Sequence, residues 1–154
     1  MANYAFWTVI RGEDLFLANY AEEKDRPIEN TPLYRCQITN TLVFGRSERD
    51  PNVRLAYRPY TSADGVVADS IFTYRFDHCL LHASGGSDDD DFIQTLWTED
   101  PLFVLIDMPN YICDPHLQPE SPARGKGTPS TIKRLPFDLD GKPRGENPSI
   151  GCYE

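Results

Sequence analysis

An all-β domain, an antiparallel sandwich or barrel-like body carrying an extended Pro-rich C-terminal segment packed on it, is what three features of the sequence predict. Short runs alternate apolar and polar residues with a period of two, most cleanly at 33–46 and 70–77, as strands with one buried and one wet face do. Turns rich in Gly, Pro, Asp and Ser separate these runs, and no segment keeps a helical period. At Pro109 the composition changes, and the last 46 residues hold eight of the 13 prolines. A chain of 154 residues fits one domain, here a body at 1–108 and the C-terminal segment at 109–154.

In chain order, YAFWTVIR at 4–11 is apolar on both faces and reads as an interior strand. LFLANYAEEK at 15–24 reads as a hairpin strand, with a short helix capped by Asp14 as the alternative. After a loop at 24–32 comes LYRCQITNTLVFGR, in which Tyr34, Cys36, Ile38, Leu42 and Phe44 face one way and only Asn40 spoils the inner face. In VRLAYRPY, Val53, Leu55 and Tyr57 oppose Arg54 and Arg58. The central strand follows, with Phe72, Tyr74 and Phe76 opposite Thr73, Arg75 and Asp77. From His78 the alternation breaks, and Cys79, Leu80 and Leu81 must be buried on both faces or sit across a bulge. The acidic loop SGGSDDDD leads to FIQTLW and to LFVLI at 102–106, an apolar run that belongs in the core. No internal repeat is read along the chain.

The C-terminal segment buries too little apolar surface to offset the entropy of ordering it alone. Its order requires anchors, taken as Tyr111, Ile112, Leu117, Ile132, Leu135, Phe137 and Leu139, set into the body or, in trans, into a second subunit as a route to oligomers.

Charge narrows the partners. The chain carries 24 acidic and 15 basic residues, net −9, all of it in the body, which argues against nucleic acid or an anionic membrane and favours a basic protein partner, a cation, or simple solubility. No run is long enough to span a bilayer and the N-terminus lacks signal-peptide features, so a cytoplasmic protein is expected. Cys36, Cys79, Cys113 and Cys152 form no C-x-x-C pair; free thiols are the simplest reading, though an even count leaves disulfides open. No cofactor-binding motif is present, and no cofactor is expected.

Four constellations are candidates for function. Asp77, His78, Cys79 and His82 supply a carboxylate, bases and a thiol within six residues. On a strand, however, His78 and Cys79 face opposite ways, and His78 and His82 lie roughly 13 Å apart, too far to share a metal. A core cysteine beside two histidines is the favoured structural reading. Asp88, Asp89, Asp90 and Asp91 offer hard oxygen donors for a cation, but without the donor spacing of an EF-hand they read better as a solvated loop tip. Among the aromatics, Trp7, Tyr57, Tyr60 and Trp97 are candidates to stack on a small ligand such as a sugar, against the duller role of filling the core. The basic residues Arg124, Lys126, Lys133, Arg134, Lys142 and Arg144 are read as docking the C-terminal segment onto the acidic body.

These readings favour a non-enzymatic binding or interaction module, either an inhibitor or immunity-type protein or a ligand-binding β-sandwich. The alternative is a small-molecule enzyme, a lyase, isomerase or hydrolase, using His78 or His82 with Asp77 in a sandwich cleft.

Overall fold

The computed structural model describes residues 15–21, 29–44, 53–62, 64–82, 89–97, 100–107 and 109–154; the expected strand at 4–11, Trp7 and Asp88 lie outside them. The all-β expectation holds: every regular element except one short 3-10 helix is a strand. In chain order these are β1 (Leu15–Ala18), β2 (Tyr20–Ala21), β3 (Glu29–Asn30), β4 (Leu33–Thr39), β5 (Leu42–Val43), β6 (Val53–Ala56), β7 (Tyr60–Thr61), β8 (Val67–Ala68), β9 (Phe72–Asp77) and β10 (Leu80–Leu81). They continue as β11 (Phe92–Ile93), β12 (Leu96–Trp97), β13 (Phe103–Asp107) and β14 (Ile112–Leu117). Residues 15–24 are thereby strand rather than helix where described.

The pairing differs from the antiparallel expectation. Leu15 lies opposite Val53, Ile38 opposite Phe76 and Leu42 opposite Leu80, all in parallel register 38 residues apart. A third, shorter turn of chain stacks next, with Phe92 on Phe76 and Leu96 on Leu80 at a spacing of 16. The chain therefore coils, each pass laying its strands on those of the pass before, as in a β-solenoid. Among the described residues, antiparallel pairing is confined to the excursions β2–β3 and β7–β8, one in each long pass, to β13–β14, and to an isolated bridge between Phe137 and Pro143. No closed barrel forms among the described strands.

The corner between the second and third strand of each pass explains why the alternation breaks there. Asn40, His78 and Gln94 occupy equivalent places and share a left-handed backbone, with φ of 48°, 52° and 48°. A single left-handed residue turns the strand sharply, and Asn and His are among the non-glycine residues that tolerate it best. Asn40 is thus a corner rather than a fault on an inner face. The strand pair that begins two positions after each corner then points its residues to opposite sides of a sheet covered on both. Leu80 and Leu81 are fully buried, as their succession required.

Two cores result. Inside the coil, Val43, Phe76, Cys79 and Leu81 are buried, with Leu15, Leu17, Ile38, Val53, Leu55, Tyr74, Phe92 and Trp97 around them. Outside it, Leu42 and Leu80 meet Leu117, Ala123 and Ile150 of the C-terminal segment, flanked by Phe44, Leu96 and Phe103. The segment does pack on the body, but of its expected anchors only Leu117 is buried. Tyr111, Leu135, Phe137 and Leu139 are each well over half exposed, Ile112 is also exposed, and Ile132 is half-buried. Two further sequence expectations need correction. Val104 and Leu105 of the LFVLI run are exposed, because β13 pairs with β14 alone and a register shift between Phe103 and Leu105 breaks the alternation. Tyr34 is exposed because a register shift between Leu33 and Cys36 takes it out of the alternation.

Polar bonds hold the C-terminal segment instead. Asn40 donates from Nδ2 to the Thr128 carbonyl (2.9 Å) and to Thr131 Oγ1 (2.8 Å), and its Oδ1 accepts the Thr128 N–H (2.7 Å). Gly151 N–H bonds the Asn40 carbonyl. Gly127 passes so close that an added Cβ would lie 2.8 Å from the Pro148 carbonyl oxygen and 3.0 Å from Asn40 Oδ1. Asp138, buried, accepts the N–H groups of Asp140, Lys142 and Glu154. Burial alone would raise its pKa; the backbone donors hold it below the ordinary value. Arg144 closes the far end with a 2.6 Å ion pair to Glu154.

Candidate functional site

The corner geometry decides what the Asp77–His82 stretch can do. At the left-handed position His78 leaves the strand's alternation and turns its Nδ1 onto Asp77 Oδ1 at 2.6 Å. An imidazole oriented by a carboxylate is the base half of a catalytic pair. The neighbouring thiol does not complete it: Cys79 Sγ lies in the coil interior against the carbonyls of Ile38 and Asp77, and burial pushes its pKa up to about 11. His82 sits elsewhere, its ring 5.3 Å from that of Phe44, the residue 38 positions earlier in the stack. Among the described residues no hydrogen bond or ring contact joins His78 to His82.

Of the acidic run, Asp89 is committed locally. It accepts from the Tyr74 hydroxyl at 3.0 Å and from the Asp91 N–H at 3.1 Å. The Tyr74 pKa is pushed up to about 12, by burial first and then by Asp89. Asp90 is exposed. Among the aromatic candidates, Trp97 packs inside the coil 5.0 Å from Phe92. Tyr57 and Tyr60 are about half exposed, and the Tyr57 hydroxyl ties down the chain after β8 by donating to Asp69 and accepting from the Ser70 N–H. All four cysteines are free.

The basic residues of the C-terminal segment do not dock on the acidic body as expected. Arg144 pairs with Glu154 and Lys142 with Asp140, both within the segment. Arg124 donates to the Leu117 carbonyl. The Arg134 guanidinium has no bonded partner among the described residues, its backbone N–H alone donating to the Thr131 carbonyl.

Arg134 instead lines a cleft of about 1040 Å³. One wall is β4, with Arg35, Gln37 and Thr39 from its outer face and Ile38 from its inner face; Leu15, Thr41 and Val43 continue it. The facing wall is Ser130, Thr131, Arg134 and Leu135, positioned by the Asn40 clamp and by the 3-10 helix Pro129–Thr131, whose cap Thr128 accepts the Ser130 N–H. Because both faces of β4 contribute, the cleft wraps around the strand edge that no other described strand pairs. In the order β11–β9–β4, β4 is the terminal strand. Asn40 turns its N–H to the Asp77 carbonyl on β9, so in the alternation of a parallel strand Gln37 and Thr39 turn their N–H groups away from it. Among the described residues nothing bonds to those two N–H groups.

A second cluster was not foreseen from the sequence. His116 on β14 places Nδ1 against Asp114 and Nε2 2.7 Å from Asp140, with the Tyr153 ring at 4.0 Å. Hydrogen bonds to Asp114 and then Asp140 raise the His116 pKa, and the histidine lowers both carboxylates in return. With each ring nitrogen engaged, this imidazole serves as a cross-link between β14 and the turn at 138–141 rather than as a base. The D-P-H spacing at 114–116 was its only sequence signal.

Comparison with family models, with curated proteins and with solved structures finds no match for this chain.

Proposed function

We propose that the chain is a non-enzymatic binding module that takes an extended segment of a partner protein as an added strand along β4. The observation that carries the reading is the cleft around the β4 edge: outward N–H groups at Gln37 and Thr39 would supply main-chain bonds, and its two walls would receive side chains pointing alternately to either face. An exposed edge is ordinarily a hazard that proteins blunt with bulges, prolines or cover. Here the segment 128–135 stands beside it without closing it. Among the described residues lining this cleft, neither His78 nor His82 appears, so it lends the enzymatic alternative no support.

Gln37→Pro tests the reading. It removes a donor that the β4–β9 ladder does not use, so the fold should persist by circular dichroism while strand addition is blocked. Peptides selected from a random displayed library on the unmodified chain should lose binding to the variant at least tenfold. Selection that yields no binder, or binders indifferent to the proline, would overturn the proposal.

A further inference from the structure

Resting on the strand-addition reading, we propose that the captured segment is acidic on one face and apolar on the other. The two faces of the cleft differ in chemistry. On the outer side stand two guanidinium groups, Arg35 from β4 and Arg134 from the C-terminal segment. The Arg35 guanidinium bonds only the neutral Gln37 amide, at 3.0 Å, and the Arg134 guanidinium has no partner among the described residues. In a chain of net charge −9, two cations that no described carboxylate pairs, at one concavity, make a site for an anion that comes from elsewhere. Guanidinium presents a planar pair of donors matched to a carboxylate. On the inner side Leu15, Ile38 and Val43 offer the carbon surface of the coil's interior.

An added strand meets both at once. Its residues i and i+2 lie on one face about 6.5 to 7 Å apart, and i+1 on the other. Glu or Asp at alternate positions would therefore reach the arginines while Val, Ile or Leu between them cover Leu15, Ile38 and Val43. Among the described residues no aromatic ring lines the cleft, so they offer none of the stacking platform that a sugar ligand uses. The backbone donors of β4 favour a peptide over a free carboxylic acid. The recognised pattern is the reverse of the basic partner that net charge alone suggests, since a local pair of cations decides at contact distance whereas the body's charge is screened beyond about 8 to 10 Å.

The probes are three capped peptides of about eight residues, long enough to cover β4, alternating Val with Glu, with Gln or with Lys, titrated onto the full chain by fluorescence anisotropy. The Val-Glu peptide should bind tightest. Arg134→Gln and Arg35→Gln should each reduce that preference by up to about fivefold, as partly solvated ion pairs do, and leave the Val-Gln affinity unchanged. Equal affinity for the Glu and Gln peptides, or tightest binding of the Lys peptide, would overturn the acidic pattern while leaving strand addition standing. Failure of all three to bind would overturn the strand-addition reading along with it.

Discussion

Residues 15–97 and residues 100–154 share a row of leucines, yet they are held by different forces. In the coil, the same kinds of apolar residue recur at the same place in each pass: Leu42, Leu80 and Leu96 on one side of a sheet, Val43, Leu81 and Trp97 on the other. Phe76 and Phe92 stack with ring centroids 4.9 Å apart and planes within 13°. In the C-terminal segment the buried residues include Ser121, Asp138, Ser149 and Pro148, and what fixes them is a mesh of hydrogen bonds and the Arg144–Glu154 pair. Repetition lets a short strand bury a side chain against its own equivalent. A segment without repetition, whose buried apolar anchors are few, Leu117, Ala123 and Ile150 among them, must satisfy much of its backbone through side chains instead.

That contrast sets an order of expected effects. Phe76→Ala removes a fully buried ring from the middle pass and should cost about 4 kcal/mol, measured by urea unfolding. A loss below about 1 kcal/mol would mean that the passes do not stack as described. Asn40→Ala should cost about 3 kcal/mol, since three side-chain bonds to 128–131 disappear at roughly 1 kcal/mol each. His78→Ala is its control, for both replacements place Ala at the same left-handed corner and the backbone strain cancels between them. With only Asp77 bonded, His78→Ala should cost about 1 kcal/mol less per lost bond, about 2 kcal/mol less in all. Equal losses would remove Asn40 from its role as clamp.

Arg144→Met leaves Glu154 mostly buried without its cation and should cost about 2 kcal/mol, below the range for wholly buried pairs because Glu154 keeps some solvent. Hydrogen exchange at 138–151 should rise more than in β9.

The smallest effect is a pH dependence from the His116 cluster. His116 is raised on folding, so its contribution is fully present below its ordinary value of 6.5 and fades as pH climbs through the raised value. Asp114 and Asp140 are lowered, so theirs is present above 3.8 and fades as pH falls through the lowered values. The cluster is therefore most stabilising between about pH 4 and 6.5. His116→Gln should flatten the stability profile above pH 6.5; an unchanged slope there would show that the cluster is not coupled to folding.

Much of the coil was legible in the sequence. The alternation at 33–39 and 72–77 marks β4 and β9 with their residues on the correct faces from Cys36 onward, and the succession Leu80-Leu81 announces a strand covered on both sides. The repeat was there to be seen as well: ITNTLVF at 38–44, FDHCLLH at 76–82 and FIQTLW at 92–97 each set an apolar residue, a polar corner and a Leu in the same order. It was missed because the corner residues differ and each looked like a local defect. Strand pairing is also silent in a single sequence, since alternation records which face is buried and not which neighbour lies alongside.

The C-terminal segment was misjudged for a different reason. Exposed Leu135, Phe137 and Leu139 carry the strongest apolar signal there, whereas Asn40, Asp138 and Arg144 act through bonds that only the fold brings together across as many as 91 residues. The cleft escaped for the same reason: Arg35 and Arg134 lie far apart in sequence and meet only because Asn40 holds 128–131 beside β4.

Everything proposed for function depends on the edge of β4 being open in the unbound chain, and amide hydrogen exchange resolved residue by residue measures that directly. Ile38, in step with Asn40, turns its N–H into the ladder with β9, whereas Gln37 and Thr39 turn theirs to the cleft. The account predicts slow exchange at Ile38 and fast exchange at Gln37 and Thr39, at least tenfold apart, with the latter two slowing when a selected peptide is added. Equal protection of all three in the free protein would show the edge already occupied and would contradict the binding site.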